Sequence, residues 1–287
     1  MKLLKKLACA SALAMSMGAV QAAPVLNDWV FNPNGGGFES GQEINEYLDV
    51  NGNAFIQITP GGEGSFSFRE HAVFNISQAD SNGILFPLAY QGGNISATFD
   101  AFGTGTFGGA FTFGGGTIRM YQNPTDNQYS GTEGVYGANL GNLIATFDVL
   151  ADGGGLVDAS GSPTNNGQVS VFARAAAGAL SPGYFFGPDG TDLSEASVLA
   201  FAFTNANTVG DPTDNLVSEV ACQFAGFTGA GCNGEDYENG PNYFFISGNG
   251  QFKLSEVGEV PEPGSLALFG IAMLGAGIAA RRRAGKA

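Results

Sequence analysis

The chain has 287 residues, with 46 glycines, 24 phenylalanines and a formal net charge of −15 at pH 7. Seven of its 11 lysines and arginines lie near the two ends, so residues 23 to 260 hold four basic and 25 acidic residues, a net charge near −21. Such a surface repels nucleic acid and anionic lipid and attracts divalent cations or basic partners. Composition therefore excludes a nucleic-acid-binding protein, while the aromatic residues supply enough apolar surface for a folded core.

The first segment in chain order has the three parts of a secretory signal peptide. A lysine-rich start is followed by an apolar stretch from Leu7 to Val20, and small residues flank Gln21 at Val20 and Ala22. Signal peptidase requires small residues at these places, so we predict cleavage after Ala22. Residues 1–22 are then removed on export.

Residues 23–258 are predicted to form one secreted body of short strands. Trp29, the only tryptophan, lies in an early strand and is expected to anchor the core. Asn51-Gly52 and Gly248-Asn249-Gly250 each separate two β-rich runs, which is typical of hairpin turns. Strict alternation of apolar and polar residues at 94–100 predicts a strand with one buried face.

The fold class follows from what is absent between these strands. No 3.6-residue apolar period continues for three turns, so the crossover helices of a parallel α/β fold are excluded. Only the Asp192-x-x-Glu195 pattern predicts a capped helical turn. About a dozen strands separated by glycine-rich turns predict an all-β fold, an antiparallel β-sandwich or a jelly-roll-like body.

Two cysteines, Cys222 and Cys232, remain after the signal peptide is removed, because Cys9 leaves with it. In an oxidising compartment we expect them to form a disulfide that closes a short loop, worth about 2–3 kcal/mol. A metal site is the alternative for these thiols. It would need further ligands nearby, and the only histidine, His71, is distant in the sequence.

No pattern in the body predicts catalytic residues. A Ser-His-Asp arrangement would have to use His71, and no Gly-x-Ser-x-Gly sequence accompanies it. Two carboxylates about 5–10 Å apart suffice for glycoside hydrolysis, and an acidic chain leaves that alternative open. We predict that the protein is not an enzyme, with a secreted carbohydrate-active enzyme as the alternative.

Four acidic loops carry the oxygen ligands that Ca²⁺ prefers, at residues 152–155, 189–192, 211–215 and 235–238. None of them matches an EF-hand loop or a nonapeptide repeat. Asp and Asn are also frequent in turns, because their side chains bond to nearby backbone groups. We therefore predict no cofactor and no defined metal ligands, with one structural Ca²⁺ ion as the alternative.

The segment 259–287 ends the chain in three parts. Val260-Pro261-Glu262-Pro263 predicts a rigid turn, an uncharged apolar run covers residues 265–280, and Arg281-Arg282-Arg283 follows. As a helix, the run would be about 25 Å long, a little less than the hydrocarbon core of a bilayer at about 30 Å. It is predicted to be one short transmembrane helix, with the arginines on the cytoplasmic side and the body outside.

This tripartite end resembles the PEP-CTERM sorting signal of Gram-negative bacteria in motif, spacing and basic tail. The resemblance implies that an exosortase in the inner membrane recognises and processes the tail. The protein would be anchored there transiently and then reach the cell surface or extracellular matrix. An ordinary C-terminal membrane anchor is the alternative.

The body carries a second resemblance, clearest over residues 28–100. It is similar to the flocculation-associated PEP-CTERM proteins in three stretches: residues 28–35, 46–57 and 70–83. That resemblance implies a non-enzymatic protein that works with exopolysaccharide, or with neighbouring cell surfaces, to hold cells in flocs or biofilm. It supplies no catalytic residues. A passive surface-coat protein without a specific ligand is the remaining alternative.

Overall fold

The computed structural model describes residues 25–256, except 82–83, 126–127 and 165–166, and this part of the chain is almost entirely antiparallel β. The strands are β1 (Trp29–Phe31), β2 (Gln42–Ile44), β3 (Tyr47–Pro60), β4 (Ser65–Ser81), β5 (Ile84–Pro87), β6 (Asn94–Thr106), β7 (Ala110–Asn123), β8 (Asn142–Val149), β9 (Gly154–Leu156), β10 (Gly167–Ala175), β11 (Phe185–Phe186), β12 (Val198–Val209) and β13 (Tyr243–Glu256). A capping helix follows β12, α-helical over Asp214–Leu216 and π-helical over Val217–Phe224.

Eight of these strands close into an up-and-down barrel. Each pairs with the next along the chain in the order β3, β4, β6, β7, β8, β10, β12, β13, and β13 pairs with β3 to complete the ring. β9 fills the remaining gap between β7 and β10. Neighbours in sequence are thus neighbours in space, which is the simplest way to leave no open sheet edge. The all-β, antiparallel prediction is confirmed.

The barrel interior holds the main hydrophobic core, because alternate residues of each strand point inward. On β4 these include Phe66, Phe68 and Ala72, and on β6 they include the predicted inward residues Ile95, Ala97 and Phe99. A small sheet of β2, β1 and β11 adds three fully buried rings to this core. They are Trp29, Phe31 and Phe185, with centroids 5.1–6.4 Å apart. Trp29 is therefore the core anchor that the sequence predicted.

The two predicted hairpin turns are wrong, since both lie inside continuous strands. Asn51-Gly52 is in the middle of β3 and Gly248-Asn249-Gly250 in the middle of β13. None of these residues has the positive φ that a type I′ turn requires. The glycines instead relieve crowding: a Cβ on Gly52 would lie 2.4 Å from Cδ1 of Phe74.

The capping helix covers a second hydrophobic cluster on the outside of the barrel. Phe55, Val73 and Phe245 point outward from β3, β4 and β13, and the helix buries them with Leu216 and Val220. This helix was not predicted, because its eleven residues give too few turns for a clear apolar period. The predicted disulfide between Cys222 and Cys232 is present, with a Cα–Cα distance of 5.5 Å, and it ties the end of the helix to the following loop.

Both ends of the described body lie together. Val25 pairs with Ser255, and the Leu26 amide donates to the Leu254 carbonyl at 2.8 Å. The predicted helical turn at Leu193–Glu195 is present and is capped by Asp192. Over the residues that the structure describes, no helix has the length and apolar character to span a membrane.

Candidate functional site

A row of side-chain amides crosses the outer face of the barrel. The pairing register places Asn75 of β4 opposite Asn51 of β3, Asn51 opposite Asn249 of β13, and Asn249 opposite Asn205 of β12. Gln168 of β10 continues the row beside Asn205. Neighbouring strands are about 4.8 Å apart, so the four asparagines span roughly 14 Å.

This row forms the floor of an open groove, which we call the asparagine groove. Its volume is about 580 Å³, measured as space open to the centres of water-sized spheres. A second polar row, two residues along each strand, widens it through Asn53, Ser247 and Asn207, which are register partners. The described residues that line it are Asn51, Gly52, Asn53, Asn75, Tyr129, Asn205, Asn207, Ser247, Gly248 and Asn249.

Hydrogen bonds fix the amides in the middle of the groove. Nδ2 of Asn249 donates to Oδ1 of Asn51 at 2.5 Å, and Nδ2 of Asn51 donates to Oδ2 of Asp49 at 2.8 Å. The donor and acceptor atoms of an amide are fixed at opposite corners of one plane, so these two hydrogen bonds orient the side chains of Asn249 and Asn51 together. Asn249 itself is exposed and Asp49 is buried, so the buried carboxylate of Asp49 holds one end of this hydrogen-bond network in place.

One end of the groove is aromatic. Tyr129 packs edge-on against Tyr136 at 5.4 Å, and its hydroxyl donates to the Val73 carbonyl at 3.3 Å. Burial, with a smaller contribution from nearby Tyr136, raises the pKa of Tyr129, so the phenol remains a donor throughout the physiological range. Beside it, the buried Oδ1 of Asn75 has no hydrogen-bond partner among the described residues. This end therefore presents an aromatic ring to the groove, and the Asn75 acceptor lies buried beside it.

Among the residues that the structure describes, the lining is polar and contains no charged side chain, although the body around it is strongly acidic. Amides and hydroxyls supply closely spaced donors and acceptors, which match groups that are themselves both donor and acceptor. Adjacent hydroxyls of a sugar have this property. Tyrosine adds an apolar surface beside the polar floor. The groove is thus chemically suited to a hydroxyl-rich, uncharged chain.

Three of the four acidic loops named above for their oxygen ligands make local turn contacts. Asp189 accepts from the backbone and hydroxyl of Thr191, Asn233 bonds with the backbone and carboxylate of Glu235, and Asp152 lies in a turn with φ of 83°. Within the described residues, no group of three His, Cys, Asp or Glu side chains is placed to hold a metal ion.

His71 lies outside the groove, under the capping helix. Its Nε2 is 3.5 Å from Oδ1 of Asp100 and its ring packs edge-on against Phe224 at 5.0 Å. Burial lowers the pKa of His71, opposed by the carboxylate of Asp100 and assisted by the charge of Arg69. Its Nδ1 is buried and has no partner among the described residues.

The asparagine groove was not predicted, because the composition of its central residues is typical of turns. Asn-Gly at 51–52 and Gly-Asn-Gly at 248–250 have the composition of hairpins. The signal that distinguishes them is length. Each lies within an uninterrupted run of 14 strand residues, long enough to cross a barrel wall as one strand. Pairing of the two runs then places Asn51 beside Asn249.

Three sets of predicted residues lie outside the part of the chain that the structure describes. They are the sorting residues Val260, Pro261, Glu262 and Pro263, the stop residues Arg281, Arg282 and Arg283, and the cleavage residue Ala22. The family model of the PEP-CTERM protein-sorting motif matches residues 259–283. No curated protein and no solved structure matches the chain. The chain therefore carries a PEP-CTERM motif, the exosortase recognition signal that marks a protein for export and sorting to the cell surface.

Proposed function

We propose that this protein is a non-enzymatic component of the cell surface or extracellular matrix that promotes cell aggregation together with exopolysaccharide. In this proposal an exosortase processes the tail while it is transiently held in the inner membrane. The barrel then binds polysaccharide through the asparagine groove. The observation that carries the proposal is the row of amides across four strands, in a groove whose described lining is uncharged although the body is acidic.

The position of the groove supports this role. The sorting motif begins at residue 259, soon after β13 ends at Glu256. Asn249 lies seven residues before that end, or about 23 Å along a strand. The groove would thus be held away from the tethered end of the barrel, on its side wall. A long polymer can reach such a groove without passing beneath the body.

A deletion strain tests the role in aggregation. Its flocs should disperse while exopolysaccharide output stays near normal, and the wild-type gene should restore them. Complementation with Asn249→Ala should restore surface display without full aggregation. Normal flocculation of the deletion strain would contradict the proposed role, and full rescue by the Asn249→Ala strain would contradict the groove as the contact.

The principal rival function is a secreted enzyme that trims the same matrix. Incubating the exported, processed protein with purified exopolysaccharide separates the two, because cleavage creates new reducing ends and binding does not. If the protein binds no glycan on an array and is abundant on the cell surface, the result would instead favour a passive surface coat.

Calcium enters the proposal only as a bridge. The body has a large excess of carboxylates over basic residues, and Ca²⁺ prefers such oxygen ligands. We propose that Ca²⁺ ions link these carboxylates to anionic sugar, outside the uncharged groove. If the flocs persist in the presence of a chelator, the calcium bridge is contradicted, and the proposal that the groove binds polysaccharide is unaffected.

A further inference from the structure

The interior of the barrel is incompletely filled. Inward-facing Glu70, Phe74, Ala202 and Thr204 are only half-buried, although they lie on the inner side of a closed wall. An eight-stranded barrel is wide enough either to be packed by side chains or to enclose one small ligand. Small residues at inward positions of β12 and β13 leave space that longer side chains would have occupied.

That space forms two neighbouring cavities of about 50 and 60 Å³, measured as room for the centres of water-sized spheres. Both are bordered by Glu70, Phe74, Val169 and Thr204. On this measure a water molecule takes about 10–15 Å³, so each cavity has room for about four waters. A ligand of about seven or eight non-hydrogen atoms would fill the two.

Glu70 is the only titratable residue among the described residues that line either cavity. Its register partners on the neighbouring strands are Ile56 and Ala101, and its carboxyl group has no hydrogen-bond or ion-pair partner among the described residues. Dense surrounding protein encloses the side chain, and the surface it keeps faces the cavities.

A lone carboxyl group in this apolar setting is held in its neutral form. Burial, with no neighbouring charge to oppose it, raises the pKa of Glu70 to about 8. Near neutral pH the group therefore carries an O–H that can donate a hydrogen bond. Leaving such a donor unmatched in an apolar site is costly, so a ligand with one acceptor beside an apolar body would complement it.

We propose that the barrel interior is a binding site for a small uncharged amphiphile, whose acceptor oxygen bonds to Glu70 and whose apolar part fills the adjoining cavities. The site is separate from the polysaccharide groove. Gly52, Asn53 and Gly248 line both the groove and one cavity, so the two sites share this part of the barrel wall. The proposal does not depend on flocculation.

The test uses three six-carbon probes with different heads: 1-hexanol, hexylamine and hexanoate. The exported, processed protein is titrated with each at pH 6.5, and binding is followed by calorimetry and by saturation-transfer NMR. We expect 1-hexanol to bind at least tenfold more tightly than either charged probe, because a buried charge needs a partner that the neutral carboxyl does not supply. Absence of 1-hexanol binding would overturn the site, and preference for hexylamine would overturn the uncharged ligand class.

Substitutions at Glu70 separate a specific head-group contact from general apolar binding. Glu70→Gln keeps a donor and should bind 1-hexanol within about threefold of wild type, whereas Glu70→Leu should bind it about tenfold more weakly, the loss expected for one hydrogen bond. Leu156→Ser, at an exposed apolar residue of β9, is the matched control and should change nothing. Equal binding by wild type and Glu70→Leu, or loss of binding in the Leu156→Ser control, would contradict the assignment.

Discussion

The side chain of Asn249 donates to that of Asn51 at 2.5 Å, between strands β13 and β3, and Nδ2 of Asn51 donates in turn to the buried Asp49 carboxylate. The two asparagines are therefore not equivalent. Asn249 is exposed and presents its remaining amide atoms to the groove. Asn51 also satisfies a buried carboxylate, so we expect it to contribute to stability as well as to the proposed binding.

Substitution of each asparagine should reveal this difference. Asn249→Ala should weaken polysaccharide binding about five- to tenfold, the effect of one or two hydrogen bonds, and change the free energy of unfolding by less than about 0.5 kcal/mol. Asn51→Ala should weaken binding similarly and also destabilise the fold by about 1–3 kcal/mol, because Asp49 loses its donor. Co-sedimentation with polysaccharide and urea unfolding measure the two effects.

Thr104→Ala is the control for these substitutions. Thr104 is exposed on the outer face of β6, away from the asparagine groove. It should leave both binding and stability unchanged. If Thr104→Ala weakens binding as much as Asn249→Ala does, polysaccharide is contacting the barrel surface in general rather than the groove.

Glu70 should make the protein less stable as pH rises. The unfolded chain releases this proton near pH 4.5, while the folded protein keeps it up to about pH 8. Between these values the folded state holds more protons, so the free energy of unfolding falls with increasing pH, with a contribution of up to about 1.4 kcal/mol per unit. Urea unfolding of wild type and Glu70→Gln at pH 5 and pH 8 isolates the contribution of Glu70 to the free energy of unfolding. The stability difference between the two proteins should shift in favour of Glu70→Gln at pH 8, and a constant difference would contradict it.

His71 should act in the opposite sense. Burial lowers its pKa in the folded protein, so below about pH 6.5 the unfolded chain holds more protons and stability falls as the solution is acidified. Asp100 raises the pKa of His71 and so limits this loss. Asp100→Asn should therefore lose more stability than wild type between pH 7.5 and pH 5.5 in thermal or urea unfolding. A smaller loss would show that Asp100 does not favour the charged imidazole.

The disulfide should stabilise the capping helix rather than the barrel. Cys222 and Cys232 are ten residues apart, and closing a loop of that length contributes about 2–3 kcal/mol. The double substitution Cys222→Ala and Cys232→Ala should lower the free energy of unfolding by this amount. Amide hydrogen exchange should accelerate in residues 214–224, with the barrel strands largely protected. Uniform acceleration over the barrel would contradict this division.

The sorting motif has its own test. Replacing Pro261, Glu262 and Pro263 by alanine should leave the protein in the inner-membrane fraction, because the exosortase signal is lost while the apolar run remains. Fractionation and immunoblotting measure this distribution, and replacing Gly264 alone by alanine is the matched control. If the triple variant reaches the surface in processed form, the motif is not the signal that directs it.

The sequence predicts most of the strands of this protein but neither the asparagine groove nor the cavities beside Glu70. Alternation in 94–100 correctly assigns Ile95, Ala97 and Phe99 to the interior, because burial on one face leaves a local period of two. The closing pair of strands is different: β3 and β13 are almost 200 residues apart, and no local pattern shows that Asn51 meets Asn249. Glu70 was likewise overlooked, since nothing in its neighbours indicates that the opposite wall leaves a cavity.

The meeting of the two ends at Val25 and Ser255 has a mechanical consequence. Tension on the tail enters the fold along β13, the strand held by twelve residue pairs to β12 and by eleven to β3. Antiparallel hydrogen bonds lie perpendicular to the strands, so a pull along β13 loads both ladders at once instead of opening them one bond at a time. In the proposed role in aggregation, a body tethered by its tail would therefore resist the drag of moving water.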